Sequence, residues 1–224
     1  MTTDILRTTI AAKVTMALSG AGLVLFALAH MAGHLQVFGG REVYNHYAET
    51  LQGLGAIKWA VRAGLLGILL VHVRAGVLLS QRNRAARPQA YALRRLQRTT
   101  THGRAMLLTG VAFLAFILYH LAHFTLGWVH PQFFHAVDSL GRPDVYGNFV
   151  RSFQHPLITI TYLGASLAVA MHATHATSSL LRTLGLSHGR FRRACEAAGP
   201  VVGVALLAGF ACVPLACLLR LIQP

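Results

Sequence analysis

Long apolar runs alternate with short polar connections along the whole chain. Five of them reach membrane-crossing length, at about 14–38, 58–80, 105–128, 156–181 and 199–221. A hydrocarbon core needs about twenty helical residues. None of the runs alternates with the two-residue period of a barrel strand. The pattern therefore predicts an all-α membrane protein with five transmembrane helices in one integral domain over residues 1–224. Arg62 and Arg74 interrupt the second run, and Arg62 is near enough to its end to snorkel. The opening MTTDILRTTIAAK has no small-residue cleavage site after a short apolar core, so the first run is expected to stay as a span.

Composition agrees with this reading. The chain is 54% hydrophobic and only 12% charged, about half the usual charged share of a soluble domain. Twenty Lys and Arg stand against six Asp and Glu. Such a surplus suits nucleic acid or a membrane, and its arrangement decides between them. The bases sit between the apolar runs, so they read as topology determinants beside membrane lipid, with no nucleic-acid role. Arg82, Arg84, Arg87, Arg94, Arg95, Arg98 and Arg104 fill the 81–104 connection without an acid. Arg182, Arg190, Arg192 and Arg193 crowd the 182–196 connection. The 39–57 and 129–155 connections are poor in bases and carry Glu42, Glu49, Asp138 and Asp144. Positive-inside then places the N-terminus and both Arg-rich connections on the cytoplasmic side of a membrane crossed five times. Cys195, Cys212 and Cys217 form no CxxC pair and read as inert core or lipid-facing thiols.

An internal repeat links the first and third runs. MALSGAGLVLFALAH (16–30) and MLLTGVAFLAFILYH (106–120) share Met-x-Leu-[Ser/Thr]-Gly-x9-His without a gap. Each of the first four runs carries one histidine well inside it: His30, His72, His120 and His172. In alternating topology His30 and His120 fall at one depth nearer the outside, and His72 and His172 at a second nearer the cytoplasm. The levels differ by on the order of 10–15 Å at a rise of about 1.5 Å per residue.

Two histidine pairs at two depths on four helices are what two bis-imidazole haems require, one axial imidazole from each side of each iron. The first four helices are therefore expected to form a di-haem bundle holding two haem b. Separation of the levels makes a single zinc site a poorer fit. Gly20 and Gly110 lie ten residues before His30 and His120, near the depth of the opposite pair, where a missing side chain admits a flat porphyrin. His34, His123 and His175 follow three or four residues after the inner histidines and share their faces. Either member of each couple can be the ligand, although depth favours His30 over His34 and His120 over His123. The remaining members are candidates for a haem propionate or a quinone pocket. Arg74, Arg104 and Arg182, near the cytoplasmic level, can pair with propionates or with lipid headgroups.

With these residues in place the chain resembles the single-chain, five-helix, di-haem cytochrome b anchor of succinate dehydrogenase and fumarate reductase, the succinate:quinone oxidoreductases. The likeness is carried by SGAGLVLFALAHMAGH, VHVRAGVLL, TGVAFLAFILYHLAHF and MHATHATSSLLRTLGL, with REVYNHYAETLQGLG and QRNRAARPQAY in the connections. It extends over nearly the whole chain. It implies axial ligands His30 and His120 for a distal haem, and His72 and His172 for a proximal one. It implies two partner chains on the cytoplasmic face, a flavoprotein subunit that handles the dicarboxylate and an iron–sulfur subunit. Electrons would pass between these and a membrane quinone, menaquinone or ubiquinone.

One position departs from the pattern. Some members carry a glutamate two residues before the fourth-run ligand, tied to transmembrane proton transfer, and Ala170 stands there instead. By analogy with members that use an acidic residue near the distal haem, Glu42, Glu49, His46 and His34 are candidates for the quinone site. No dinucleotide fingerprint or phosphate-cradling loop follows a strand, so dicarboxylate catalysis is expected on another subunit. The runner-up is a cytochrome b of the hydrogenase or formate dehydrogenase type, which shares histidine-rich helices but arranges its ligands differently. A proton-relay transporter would carry intramembrane carboxylates, and none of the five runs has Asp or Glu in its interior.

Overall fold

The computed structural model describes Leu6, residues 8–86 and residues 101–224, in the last stretch with side chains from Ala105 onward. These residues form helices α1 (Thr9–Leu35), α2 (Arg41–Gly53), α3 (Ala56–Ala85), α4 (Thr101–His120), α5 (Val145–Phe153), α6 (Pro156–Thr183) and α7 (Arg192–Leu218). No strand occurs among them beyond one bridge between Val137 and Pro143. Helices α1, α3, α4, α6 and α7 are long and apolar enough to cross a membrane, matching the five predicted runs. Of the expected Arg-rich surface, Arg87, Arg94, Arg95, Arg98 and the Arg104 side chain lie outside the described residues.

Local signals set the helix ends. The Thr8 hydroxyl accepts from the Ala11 N–H at 3.1 Å and caps α1. Pro156 opens α6, where its missing N–H costs nothing. Gly55, at φ +54°, turns the chain between α2 and α3 in a conformation that favours glycine. Helix α4 does not stop at His120 but runs into a π-helical turn over Leu121–Thr125.

Helix α6 is the hub. It packs against α4, α1 and α7, while α3 packs against α1. The α6–α7 approach depends on small residues. Gly199 and Gly203 of α7 lie so close to Ser178 and Thr174 of α6 that added Cβ atoms would overlap their side chains. The Thr174 and Ser178 hydroxyls turn back to the carbonyls of Ala170 and Thr174, at 2.7 and 3.0 Å. Polar groups on this apolar helix are thereby satisfied locally.

The 39–57 and 129–155 connections are more ordered than their polarity implies. Each contains a short helix, and α2 and α5 together cap one end of the bundle. Helix α2 is amphipathic: Tyr44 and Asn45 are buried, and Glu42, His46 and Glu49 are exposed. Its buried face joins α5 through Val37, Tyr44, Tyr146, Phe149 and Phe153. Charges clamp the rim. Arg41 pairs with Asp144 at 2.5 Å, and Arg142 pairs with Glu42 at 2.7 Å and Asp138 at 2.9 Å. The Asp138 and Asp144 side chains are only 2% and 3% exposed, so these two carboxylates lie inside the cap while Glu42 stays on its surface.

Candidate functional site

The four histidines within the long apolar helices come together as two pairs. The His30 and His120 rings, from α1 and α4, have centroids 5.8 Å apart near the capped end. The His72 and His172 rings, from α3 and α6, have centroids 6.3 Å apart toward the opposite end. Two metal–imidazole bonds of about 2 Å each, added to the ring radii, put the centroids of two axial imidazoles about 6 Å apart. Both pairs stand at that separation. No group of three or more His, Cys, Asp or Glu side chains converges among the described residues. Each facing pair supplies two imidazoles, the number a porphyrin would leave for the protein to provide.

The pair distant from the cap is supported by its neighbours. His72 Nδ1 lies 3.1 Å from the Ser19 hydroxyl, and His172 Nδ1 lies 3.2 Å from the Thr109 hydroxyl. Among the described residues no hydrogen bond engages either Nε2. Gly20 and Gly110 sit where the repeat puts them, at the level of the opposite pair. Their closest neighbours there are imidazole rings. A Cβ at Gly20 would stand 3.2 Å from His72 Cε1, and one at Gly110 would stand 3.3 Å from His172 Cε1. The glycines therefore make room for the side chains of this pair.

The capped-end pair is embedded in a polar network. His120 Nδ1 is 3.3 Å from the Tyr162 hydroxyl. The same hydroxyl is 3.0 Å from His123 Nδ1, and His123 Nε2 reaches Ser152 at 3.3 Å. His123 is 1% exposed and has both ring nitrogens engaged, so a propionate could be bound only by giving one up. The π-helical turn that begins at Leu121 carries His123 into this position. His34 stacks on Phe149 and bonds to Tyr44 at 2.6 Å. Its other nitrogen lies 3.1 Å from His30 Nε2. Thus the ring paired with His120 is His30, and its Nε2 must leave His34 to take a metal.

The remaining candidates scatter. Glu42 and His46 line an open cleft of about 560 Å³ beside α2, with Gln36, Val43, Tyr47 and Thr50. Glu49 lies at its rim, 3.9 Å from His46 and 3.6 Å from Arg142. His34 is half-buried and does not line this cleft. Arg142 donates two hydrogen bonds to the Glu42 carboxylate and holds it below its ordinary pKa. Burial pushes Asp138 upward, but hydrogen bonds from Arg142, Asn45 and Leu140 outweigh it and hold the carboxyl at about 2. Arg182 lines a second cleft, of about 370 Å³, with Lys13 at the start of α1. Arg74 is exposed on α3, and His175 is half-buried one turn beyond His172.

Ser19, Thr109 and Tyr162 stand against the histidine rings without having been expected there. For the first two the signal was present, because the repeat keeps a hydroxyl residue directly before each glycine. No protein-family model matches the chain, and neither a curated protein nor a solved structure does.

Proposed function

We propose that the chain is a di-haem cytochrome b, the membrane-anchor subunit of a succinate:quinone oxidoreductase. The observation that carries the haem reading is the spacing of two histidine pairs, 5.8 and 6.3 Å between ring centroids, at two levels of one bundle. His30 and His120 hold one haem in this reading, and His72 and His172 the other. Each haem, when bound, supplies a one-electron carrier whose potential the ligands and burial set. The chain's own task is to fix four imidazoles in an apolar interior, keep water from them and space the two carriers within one bundle. The succinate assignment rests on the family resemblance. It brings a flavoprotein and an iron–sulfur subunit as partners, the cytoplasm as the N-terminal side and the bacterial inner membrane as the location. Quinone meets the protein at the membrane surface, and the α2 cleft lined by Glu42 and His46 is the site we assign to it. Arg142 grips the Glu42 carboxylate, and His46 lines the same cleft. Arg182 and Lys13 form the basic cleft available to propionates or headgroups at the other end.

The test is purification of the tagged chain from its native membranes in mild detergent. The reading expects co-isolation of a flavoprotein and an iron–sulfur protein. It also expects a b-type spectrum that succinate reduces and quinone reoxidises. A b-type spectrum reduced by formate or hydrogen instead would move the chain to the runner-up class.

A further inference from the structure

The repeat in α1 and α4 does more than place two ligands and two glycines. Met16, Ser19, Gly20 and His30 recur as Met106, Thr109, Gly110 and His120, each offset by 90 residues. The Ser19 hydroxyl lies 2.7 Å from the Thr15 carbonyl and 3.2 Å from that of Met16. The Thr109 hydroxyl lies 3.0 Å from the Ala105 carbonyl and 3.2 Å from that of Met106. A hydroxyl has one proton, and a carbonyl only accepts. Once that proton is given to the helix backbone, the oxygen meets the imidazole as an acceptor. His72 Nδ1 and His172 Nδ1, at 3.1 and 3.2 Å, must then carry the ring proton. With Nδ1 protonated, the lone pair of each ring is on Nε2.

We infer that Ser19 and Thr109 are positioning residues that lock His72 and His172 as Nδ1–H tautomers and aim both Nε2 lone pairs at one shared metal position. The inference rests on the haem reading and deepens it at one of the two levels. Each ligand is oriented from the neighbouring helix, α3 by α1 and α6 by α4. The hydroxyl also draws on the Nδ1 proton and makes the imidazole a stronger donor to iron. Among the described residues the His30–His120 pair lacks this device. There His120 Nδ1 meets a tyrosine hydroxyl, and His30 has no serine or threonine on its Nδ1.

The experiment compares the full-length haem-loaded chain with Ser19→Ala, Ser19→Thr, Thr109→Val and Thr109→Ser. It reads the midpoint potential of each haem and the rate at which each is lost to apomyoglobin. Ser19→Ala and Thr109→Val are expected to shift the same single haem to a higher potential. They should also weaken its retention about 10-fold or more, with the second haem unmoved. Ser19→Thr and Thr109→Ser restore wild-type values. An intact second haem certifies that the bundle has folded. Unchanged potential and retention in both Ser19→Ala and Thr109→Val, with two haems in the wild type, would overturn the inference and leave the haem reading standing. Equal shifts of both haems would also overturn it, since that is general loosening. A wild-type chain without haem would remove the haem reading and the inference together.

Discussion

Gly20 lies against the His72 ring, so that a methyl group at position 20 would stand 3.2 Å from His72 Cε1. Gly110 bears the same relation to His172 at 3.3 Å. Such spacing is tighter than ordinary van der Waals contact, and a branched side chain cannot enter without moving the ring. Gly20→Val and Gly110→Val should therefore both displace the His72–His172 pair and spare the His30–His120 pair. The expected result is one haem per chain in either variant. Gly64→Val is the control, because nothing lies within 4 Å of its added Cβ. It should keep wild-type haem content, read as the absorbance of the pyridine haemochrome per mole of chain.

His123 is bonded on both ring nitrogens and buried to 1%. The account gives it a structural role in joining α4, α5 and α6. His123→Phe removes both bonds and leaves Ser152 with a weaker partner, Asn148 at 3.5 Å. A loss of about 1–3 kcal/mol is expected from the unsatisfied buried groups. Thermal melting in detergent should register the loss, while haem content stays at the wild-type value. Loss of a haem in this variant would instead make His123 the ligand in place of His120.

The α6–α7 contact should fail in one direction only. A Cβ at Gly203 would overlap the Thr174 side chain and stand 2.9 Å from the Ala170 carbonyl. Gly203→Val is expected to push α7 away and lower stability by roughly 1–3 kcal/mol. The added clash at Thr174 is relieved in Gly203→Val/Thr174→Ala. The double variant should thus melt above the single one. A cycle with purely additive effects would contradict the contact.

The capped end should loosen in acid. An ordinary Asp takes up its proton near 3.8, and folded Asp138 holds it off to about 2. Between those values the unfolded chain binds more protons, so the contribution is present above pH 4 and declines as pH falls toward 2. Asp144 and Glu42 are also lowered and act with the same sign. Hydrogen exchange in α2 should accelerate over that interval in the wild type. Asp138→Asn should exchange faster at neutral pH and respond less to acid.

Much of the bundle was legible because its five long helices are continuous apolar runs of membrane-crossing length. The facing of His30 with His120 and of His72 with His172 was legible from their positions along the helices. A fixed rise per residue converts sequence position into height. Lateral detail was not. Nothing local in REVYNHYAETLQG announces that Glu42 and Arg41 will meet Arg142 and Asp144 about a hundred residues away, so the cap read as two loops. The π-helical turn after His120 was equally hidden, since one extra residue in a turn leaves the apolar pattern intact. Ser19 and Thr109 sat in full view within the repeat. Their role appears only when the hydroxyl, the backbone carbonyl and the neighbouring helix's imidazole stand together. The α2 cleft needed the fold as well, because Gln36, Glu42, His46 and Thr50 line one surface only when α2 is helical.

The most direct test of the central claim is haem stoichiometry by pyridine haemochrome in the purified native complex, for the wild type, His120→Ala and His172→Ala. The account predicts two b haems per chain in the wild type and one in each variant. Redox titration should show that the haem left in one variant is the one lost in the other. A folded wild-type chain in its native complex with no haem would contradict the account. The two histidine pairs would then be hydrogen-bonding residues of a bundle with another purpose.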